Sequence, residues 1–372
     1  MKITVVTPVL SIAGVPLAQI RFARALAGRG HRVTLLVGWV DPEFRVPDMA
    51  GVALEVLGKR RVRGMFAPLC TYFRRAQPDV VFTAEDHLNC LVLLAAMATG
   101  SRAKISGSSR VTPFDTYSDN PLDKRWVLKQ VMKLAMPRAD ALTCVSKDMV
   151  SQYRSVFSAS RHVCVYNIVD DTHSRLRMQE EIDHEWFHAA DRPLLVAAGR
   201  LAPWKGFSCL VDAMGQGPAE RGARLLILGD GPLRADLQAQ IDRLGLGGTV
   251  QLVGYVDNPL SYFRRAGIFV LSSLVEGMPN VLVEAMMCGC TPVATDCPTG
   301  PRELLDGGRI GYLVPPGDAA ALAAGIIAAI DEPTPAQDLV HAIRPFREDA
   351  VIERHFELLG LTESGAPTPV GQ

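Results

Sequence analysis

The chain lacks several features that mark particular protein classes. Its eight cysteines form no C-x-x-C pair and accompany no histidine cluster at zinc spacing, so we interpret them as reduced core residues. Its 39 basic and 39 acidic residues cancel, which gives no indication of nucleic acid as a partner. Charge-free apolar stretches such as 319–330 are too short to cross a bilayer.

The start of the sequence also lacks the apolar core and cleavage site of a signal peptide. MKITVVTPVL passes from one lysine directly into a β-rich run, which predicts a cytoplasmic protein. Cys288 and Cys290 are close enough to share a metal, but Gly289 between them at a predicted helix end argues against this.

Strand and helix patterns alternate along nearly all 372 residues, as is typical of parallel sheets covered by helices. The first predicted helix is Leu17–Arg29. The predicted strands are Ile3–Thr7, Arg32–Val37, Val80–Thr83, Lys104–Ser106, Ala141–Val145 and His162–Tyr166, then Leu194–Ala198, Arg224–Leu228, Val250–Leu252, Ile268–Leu271 and Pro292–Thr295. We predict an α/β protein with two facing Rossmann-like domains and a ligand in the cleft between them.

A polar stretch without a strand pattern divides the two halves. The prediction is an N-terminal domain at 1–169, a linker at 170–192 and a C-terminal domain at 193–343. A last helix within 344–361 is expected to pack back on the first domain. The tail 362–372 is rich in Gly, Pro, Ser and Thr and is expected to be disordered.

The most informative motif is EGMPNVLVEAMMCG, which starts at Glu276. It predicts a loop and then a helix that Pro279 opens and Gly289 ends. The free backbone amides at the start of this helix favour an anion such as phosphate. Glu276 and Glu284 could be the acid and nucleophile of a glycosidase. Since one lies in the loop and the other on the helix, hydroxyl binding is the better interpretation, and a solvated helix position is the alternative for Glu284.

Two cations lie in the glycine-bounded segment GRLAPWKG, which follows the strand Leu194–Ala198. Arg200 can hold phosphate oxygens with a bidentate guanidinium, and Lys205 adds a compact charge. Together they would stabilise a departing diphosphate. A solvated surface loop is the alternative.

Two further glycine segments follow predicted strands. GDGP at 229–232 allows close approach of a ligand, but Arg234 replaces the third glycine of a dinucleotide fingerprint. Gly14 lies between the first strand and the first helix, where an anion could meet free amides. An ordinary turn glycine is the alternative.

With these motifs together, the chain resembles the retaining glycosyltransferases of family 4 (glycosyl transferases group 1), which have the GT-B fold. The resemblance runs from about Lys2 to Leu359. It is most specific where GRLAPWKG, LLILGDGP, VGYV, the Glu276 motif and GPRELLDGGRIGYLVPPGD occur in the family's order. It implies transfer of a hexose from a nucleotide diphosphate with retained anomeric configuration, and neither a metal nor another cofactor.

The resemblance also implies roles for residues. Glu276 would orient the donor through its sugar hydroxyls and Glu284 would hold the ribose, while a donor phosphate oxygen would accept the acceptor's proton; a short-lived covalent intermediate stays open. The implied catalytic residues are Glu276, Arg200 and Lys205. The implied donor-binding residues are Gly14, Gly199, Arg200, Lys205, Gly254, Tyr255, Val256, Glu276, Gly277, Met278, Pro279, Asn280 and Glu284.

The first half departs from the family pattern in two places. Ala13-Gly14-Val15-Pro16 replaces the usual paired glycine with a nearby glutamate, and the histidine of a first-domain loop is not evident. The segment SGSSRVTPFDTYSD places Arg110 near that histidine's position. Arg110 is therefore a candidate for acceptor binding, with a structural or surface arginine as the alternative.

The segment Gly58–Pro78 has six basic residues and no acidic one. Its apolar residues with near-helical spacing are Met65, Phe66, Leu69 and Phe73. Pro68 limits how early a helix starts. Such a segment can hold anionic lipid, which predicts peripheral association with the inner face of the cytoplasmic membrane through Lys59–Arg75. A first-domain helix with a solvated basic edge is the alternative.

The resemblance defines the donor and the acceptor less well than the fold and the type of reaction. CPTGPRELL is similar to family members that handle amino sugars, which favours UDP-hexose or UDP-N-acetylhexosamine as donor. A glycan or lipid-linked acceptor in cell-envelope polysaccharide or glycolipid synthesis is the family-level expectation. Two other functions stay open: a nucleotide-sugar epimerase and a catalytically silent nucleotide-sugar binding module.

Overall fold

The computed structural model describes residues 1–11, 14–188 and 192–362. The chain forms two compact units: residues 1–168 together with the chain from Glu348 onward, and Val169–Arg347. Ala13 and the tail from residue 363 lie outside the described residues. Both units are α/β with parallel sheets, which confirms the predicted fold class.

The first unit is built on a seven-stranded parallel sheet. Its strands are β1 (Lys2–Leu10), β2 (Arg32–Val40), β3 (Ala53–Val56), β4 (Val80–Ala84), β5 (Lys104–Ser109), β6 (Ala141–Cys144) and β7 (His162–Cys164). They are ordered β3-β2-β1-β4-β5-β6-β7. From β1 the chain adds strands first toward one edge of the sheet and then, from β4, toward the other edge. The loops after β1 and β4 therefore lie where such sheets usually bind ligands.

The second unit has a six-stranded parallel sheet. Its strands are β8 (Leu194–Ala198), β9 (Arg224–Leu228), β10 (Val250–Gly254), β11 (Ile268–Leu271), β12 (Thr291–Thr295) and β13 (Tyr312–Val314). They are ordered β10-β9-β8-β11-β12-β13, so the reversal lies between β8 and β11. Both of these strands are continuous apolar runs, because helices cover both faces of the sheet.

Helices connect the strands in both units. In chain order they are α1 (Gly14–Gly28), α2 (Phe66–Ala76), α3 (Asp86–Thr99), α4 (Pro113–Thr116), α5 (Lys124–Ala135), α6 (Lys147–Val156), α7 (Thr172–Arg177), α8 (Phe207–Met214), α9 (Arg234–Arg243), α10 (Pro259–Phe263), α11 (Asn280–Met287), α12 (Pro301–Leu304), α13 (Ala319–Asp331), α14 (Ala336–Ile343) and α15 (Glu348–Leu358). Short 3₁₀ turns lie at Val62–Met65, Met136–Arg138, Glu185–His188, Pro203–Lys205, Asp306–Gly308 and Arg344–Phe346. In the part of the chain that the structure describes, no helix has both the length and the apolar character needed to span a membrane.

The last helix, α15, packs against the first unit. Ile352 and Phe356 of this helix are buried in one apolar cluster with Ile3 of β1 and Leu26 of α1. The Arg29 guanidinium also pairs with Glu348 at the start of α15, at 2.5 Å. The chain therefore returns to the sheet from which it began.

Several element boundaries differ from the prediction. The patterns missed β3 and β13, whose residues are mostly exposed or half-buried and therefore show no buried apolar side in the sequence. Helix α1 starts at Gly14, three residues before the predicted start, and the strand at His162 ends at Cys164. Helix α11 begins at Asn280, so Pro279 precedes the helix rather than opening it.

The predicted linker contains regular structure. Helix α7 is capped by Asp171, whose carboxylate accepts a hydrogen bond from the Ser174 amide at 2.6 Å. Buried Asp170 accepts hydrogen bonds from Arg175 Nε at 2.6 Å and Nη2 at 2.7 Å. Residues 189–191 lie outside the described residues.

The basic segment Gly58–Pro78 turns its apolar side toward the protein. Met65, Leu69 and Phe73 are buried, and α2 packs against α3. Pro68 lies in the first turn of α2, where a backbone amide has no helical partner to lose. Three of the four residues of the stripe predicted to enter a membrane are thus core, while the fourth, Phe66, is 39% exposed beside the exposed cations.

Candidate active site

The loops that follow β8 and β11 meet at the carboxyl edge of the second sheet, because these two strands are neighbours. Gly199, Arg200 and the turn Pro203–Lys205 follow β8. Residues 272–276 follow β11. Tertiary structure therefore brings Glu276 to Lys205, which lies 71 residues earlier in the chain and shares its loop with Arg200.

Glu276 is held by two side chains. Its Oε1 accepts hydrogen bonds from Lys205 Nζ at 2.5 Å and from Ser273 Oγ at 2.6 Å. The Lys205 and Glu276 side chains are only 19% and 12% exposed, which strengthens a charge-assisted contact. Within the described residues the second oxygen, Oε2, has no hydrogen-bond partner, so it can accept a hydrogen bond from a ligand hydroxyl.

Backbone contacts hold the loops after β8 and β11 against each other. The Leu274 amide donates to the Trp204 carbonyl at 2.8 Å, and Ser272 Oγ donates to the Lys205 carbonyl at 2.8 Å. Gly206 has a φ of +64°, and a Cβ there would lie 2.0 Å from the Ser272 carbonyl oxygen. Only glycine allows this close approach, which positions Lys205 beside Glu276.

The GDGP segment packs on the same edge. Gly229 has a φ of +132°, and a Cβ there would lie 2.0 Å from the Gly199 carbonyl oxygen. Its amide donates to the Gly254 carbonyl at 2.7 Å. The GDGP segment therefore contacts the ends of both neighbouring strands: Gly254, one of the predicted donor-binding residues, on one side, and Gly199 of the GRLAPWKG loop on the other.

The two cations of the site differ in their partners. Arg200 is exposed, and within the described residues its guanidinium makes neither a hydrogen bond nor an ion pair. Lys205 uses one of its three N–H donors on Glu276. Five guanidinium donors and two ammonium donors thus remain for an anion such as a diphosphate.

Glu284 lies in the second turn of α11 and is half-buried. The loop before this helix packs against the protein, since Met278 and Pro279 are buried. Gly300, with a φ of +95°, approaches it so closely that a Cβ would lie 2.7 Å from the Gly277 carbonyl oxygen. The two glutamates thus belong to different elements, a loop and a helix, as the sequence predicted.

Three residues next to these loops were not predicted. Ser273 contacts the Glu276 carboxylate, and Thr299 Oγ1, on a residue with a φ of +62°, donates to the Glu276 carbonyl. Arg234 Nη1 is buried without a hydrogen-bond partner among the described residues, 3.6 Å from the position of a Cβ on Gly254. A polar residue just after a buried strand suggests a site, so Ser273 could have been predicted from the sequence. The contacts of Thr299 and Arg234 depend on tertiary packing, and no local pattern predicts them.

The cysteines of this unit are protonated core residues. Burial, and to a smaller degree the Glu276 carboxylate, raises the pKa of Cys297 to about 11. The Cys288 and Cys290 thiols donate to the carbonyls of Leu260 and Phe263, at 3.6 and 3.0 Å. Among the described residues, no group of three or more His, Cys, Asp or Glu side chains is arranged to hold a metal ion.

Arg110 lies in the first unit, directly after β5, and is half-buried. It lines a cavity of about 20 Å³ together with Thr83, Ser106 and His355. Burial lowers the pKa of Arg110 to about 10, and the nearby Glu85 carboxylate opposes this shift. Its Nε has no hydrogen-bond partner among the described residues, so the site suits a water or a ligand oxygen. Gly14 begins α1 and is exposed.

Comparison with known proteins assigns the chain to a family. Residues 14–173 match the model described as Glycosyltransferase Family 4, and residues 178–345 match Glycosyl transferases group 1. The 2-deoxystreptamine N-acetyl-D-glucosaminyltransferase of Streptomyces fradiae is 31% identical over 84% of this chain and 81% of that protein. The chain belongs to glycosyltransferase family 4. The predicted family is confirmed.

Another relative of this family 4 chain matches over a shorter region. It is the N-acetylgalactosamine-N,N'-diacetylbacillosaminyl-diphospho-undecaprenol 4-alpha-N-acetylgalactosaminyltransferase of Campylobacter jejuni, 30% identical over 63% of this chain and 62% of that protein. The chain thus spans about three fifths of the length of this relative.

Solved structures confirm the GT-B fold of this family 4 chain. HepE from Anabaena in complex with UDP superposes with a TM-score of 0.75 at 22% identity, over 96% of this chain and 99% of HepE. A glycosyltransferase from Rickettsia africae superposes with a TM-score of 0.75 at 16% identity, over 96% and 97% of the two chains. At these identities the likeness concerns the fold.

Proposed function

We propose that this family 4 protein is a retaining hexosyltransferase that moves a sugar from a UDP-linked donor to a glycan or lipid-linked acceptor of the cell envelope. The observation that carries this proposal is the Glu276 carboxylate, fixed through Oε1 by Lys205 and Ser273 with Oε2 left as an acceptor. Exposed Arg200 adjoins this arrangement.

These groups suit the chemistry of sugar transfer. A nucleotide diphosphate gains negative charge as its bond to the sugar breaks, and Arg200 and Lys205 would stabilise that charge. Glu276 would orient the sugar by accepting a hydroxyl hydrogen bond at Oε2. The attacking hydroxyl would pass its proton to a donor phosphate oxygen, so the enzyme itself needs no base on the attacked face.

The comparisons support a UDP-linked amino sugar as donor. The Campylobacter relative is named for transfer of N-acetylgalactosamine, and the Streptomyces relative for transfer of N-acetylglucosamine. HepE is described in complexes with UDP and with UDP-glucose. The uridine nucleotide is named for HepE and the amino sugar is named for the two relatives, and the proposed donor combines these two features.

The relatives also support an envelope acceptor. One acts on an undecaprenol-linked substrate, LpsE of Rhizobium meliloti belongs to lipopolysaccharide core biosynthesis, and AmsD of Erwinia amylovora belongs to amylovoran biosynthesis. A lipid-linked acceptor would bring the protein to the inner face of the cytoplasmic membrane. The proposal therefore includes peripheral membrane association.

The test is a panel of UDP-sugars incubated with a cell-envelope lipid extract, with UDP release and sugar incorporation measured separately. Glu276→Gln removes the charge at constant shape, and we expect transfer to fall by about 100-fold or more. Glu220→Gln is the matched control, because Glu220 is exposed and precedes β9, at the edge of the sheet opposite the site loops. If Glu276→Gln transfers at the rate of the unmodified protein, the assignment of Glu276 is wrong.

The same assay separates the two alternative functions. An epimerase would convert the UDP-sugar without any acceptor, which chromatography of the donor detects. A silent binding module would bind UDP-sugar but release no UDP with any extract. Either result would replace the transferase proposal.

A further inference from the structure

Helices α2, α3 and α5 lie side by side on one face of the first sheet, with α3 packed between the other two. The outward side of α3 is apolar. Leu91 and Leu94 are half-buried there, Met97 is 50% exposed, and Ala98 is exposed. Spacings of three and four residues place Leu91, Leu94 and Ala98 on one side of the helix.

Helix α5 continues this apolar surface. Val127 is 52% exposed, Leu134 is 74% exposed, and Val131 between them is half-buried. The spacing of four and three residues puts all three on one side. Lys129, in contrast, is buried and pairs with Asp119. Met132 and Ala135 are buried as in an ordinary surface helix, but the exposed apolar side and the buried lysine depart from that arrangement.

We call this surface the α3–α5 face and define it by Leu91, Leu94, Met97, Val127, Val131 and Leu134. Cations flank it: Lys124 and Lys133 on α5, and Arg74 on α2, are exposed. Helices α2 and α5 contain no acidic residue, and Asp86 of α3 is buried. Beside α5, Asp123 pairs with Arg125 and Asp119 with Lys129, so the other exposed cations leave the border of the apolar face net basic.

We propose that the α3–α5 face rests on an anionic lipid bilayer, with its apolar side chains in the headgroup region and the bordering cations on lipid phosphates. A contiguous exposed apolar surface marks an interaction site. Apolar insertion combined with basic contacts is the mode of interfacial helices.

Charge complementarity favours a bilayer over a second copy of the chain. A two-fold interface through this face would place the same basic border of both copies together, and like charges oppose such pairing. An anionic membrane instead complements every cation of the border. The proposal rests on the membrane location included in the proposed function, and not on the transfer chemistry.

The face differs from the sequence-predicted membrane segment. Met65, Leu69 and Phe73 of that segment are buried and Phe66 is 39% exposed, whereas Val127 and Leu134 are 52% and 74% exposed. Arg75 of that segment pairs with Glu55. Its cations can still contribute charge, but the apolar contact belongs to α3 and α5.

The test is flotation of the full-length protein with vesicles of phosphatidylcholine alone or mixed with phosphatidylglycerol, without donor or acceptor. We expect binding to the anionic vesicles only, and weaker binding in high salt. A Val127→Asp/Leu134→Asp variant should bind about tenfold less tightly or worse, because two apolar anchors become charged. Lys124→Gln/Lys133→Gln should also weaken binding, by about tenfold in total at low salt.

The matched control is Leu176→Asp/Val340→Asp, since both residues are 67% exposed but belong to the second unit. It should bind vesicles like the unmodified protein. UDP binding and circular dichroism should be the same for all variants, which separates a lost surface from a lost fold. If the unmodified protein transfers sugar in the donor panel but fails flotation, this inference and the proposed membrane location are both wrong, while the proposed sugar transfer stands.

Two results would overturn the proposal. One is no flotation of the unmodified protein with anionic vesicles, or flotation that Val127→Asp/Leu134→Asp leaves unchanged. The other is a dimer in sedimentation that the same variant dissociates, with no vesicle binding, which would assign the face to self-association.

Discussion

Two buried histidines predict that the first unit loses stability in mild acid. His162 and His355 are 0% and 8% exposed. Burial lowers the pKa of His162 to about 4, and burial with the nearby Arg110 charge lowers the pKa of His355 to about 3. A histidine in the unfolded chain titrates near 6.5. Both side chains are therefore neutral in the folded protein across the range in which the unfolded chain becomes protonated.

The sign and size of the effect follow from proton linkage. Stability is complete above pH 6.5 and falls as the pH drops toward 4, because only the unfolded chain then binds the two protons. Between pH 7.5 and 5.0 each histidine should lower the free energy of unfolding by about 2 kcal/mol, or about 4 kcal/mol together. That is a large part of the 5–15 kcal/mol typical of a domain.

The assay is urea denaturation followed by circular dichroism at pH 7.5 and pH 5.0. His355→Phe is the informative variant, because the ring packs against Phe22 and Phe82 at centroid distances of 5.1 and 5.3 Å, and a phenyl group suits that site. It should remove about half of the pH-dependent loss. Exposed His341→Gln is the control and should leave the loss unchanged. If His355→Phe unfolds with the same pH dependence as the unmodified protein, the reasoning from burial is refuted.

Two further predictions concern the site loops. Gly229→Ala should weaken UDP binding and lower the unfolding free energy by about 2 kcal/mol or more, because its Cβ would meet the Gly199 carbonyl, 2.0 Å away. Gly248→Ala, where the added carbon meets nothing within 4 Å, is the control, and equal UDP affinity of both variants would contradict the packing argument. Ser273→Ala should reduce kcat/KM for transfer by about tenfold with little change in UDP affinity, since Glu276 loses one of two hydrogen bonds. Unchanged kcat/KM would show that Lys205 alone orients the carboxylate.

Much of the fold could be predicted from local patterns. The strands at Leu194–Ala198, Arg224–Leu228 and Ile268–Leu271 are found with the predicted bounds, because each is a continuous apolar run between turn residues. The edge strand β3 was missed, although the edge strands β7 and β10 were predicted. The β3 residues Leu54 and Val56 are exposed, so no buried side marks them in the sequence.

The candidate site could be predicted in part. Arg200, Lys205 and Glu276 stand in segments whose glycines, charges and position after strands suggest ligand contact. Their meeting depends on the adjacency of β8 and β11, which are separated in sequence by β9 and β10. Local residue patterns do not encode that order, and the contacts of Thr299 and Arg234 follow from it.

The sequence by itself determined the alternation of strands and helices, the cationic loop and the glutamate motif, because these depend on neighbouring residues along the chain. Tertiary structure alone decided which side of each helix packs against the protein and which side faces solvent. The stripe of Met65, Leu69 and Phe73 and the stripe of Val127, Val131 and Leu134 have similar helical periods, yet the first is core and the second largely surface. A period identifies a side of a helix, and only packing against neighbouring elements determines what that side contacts.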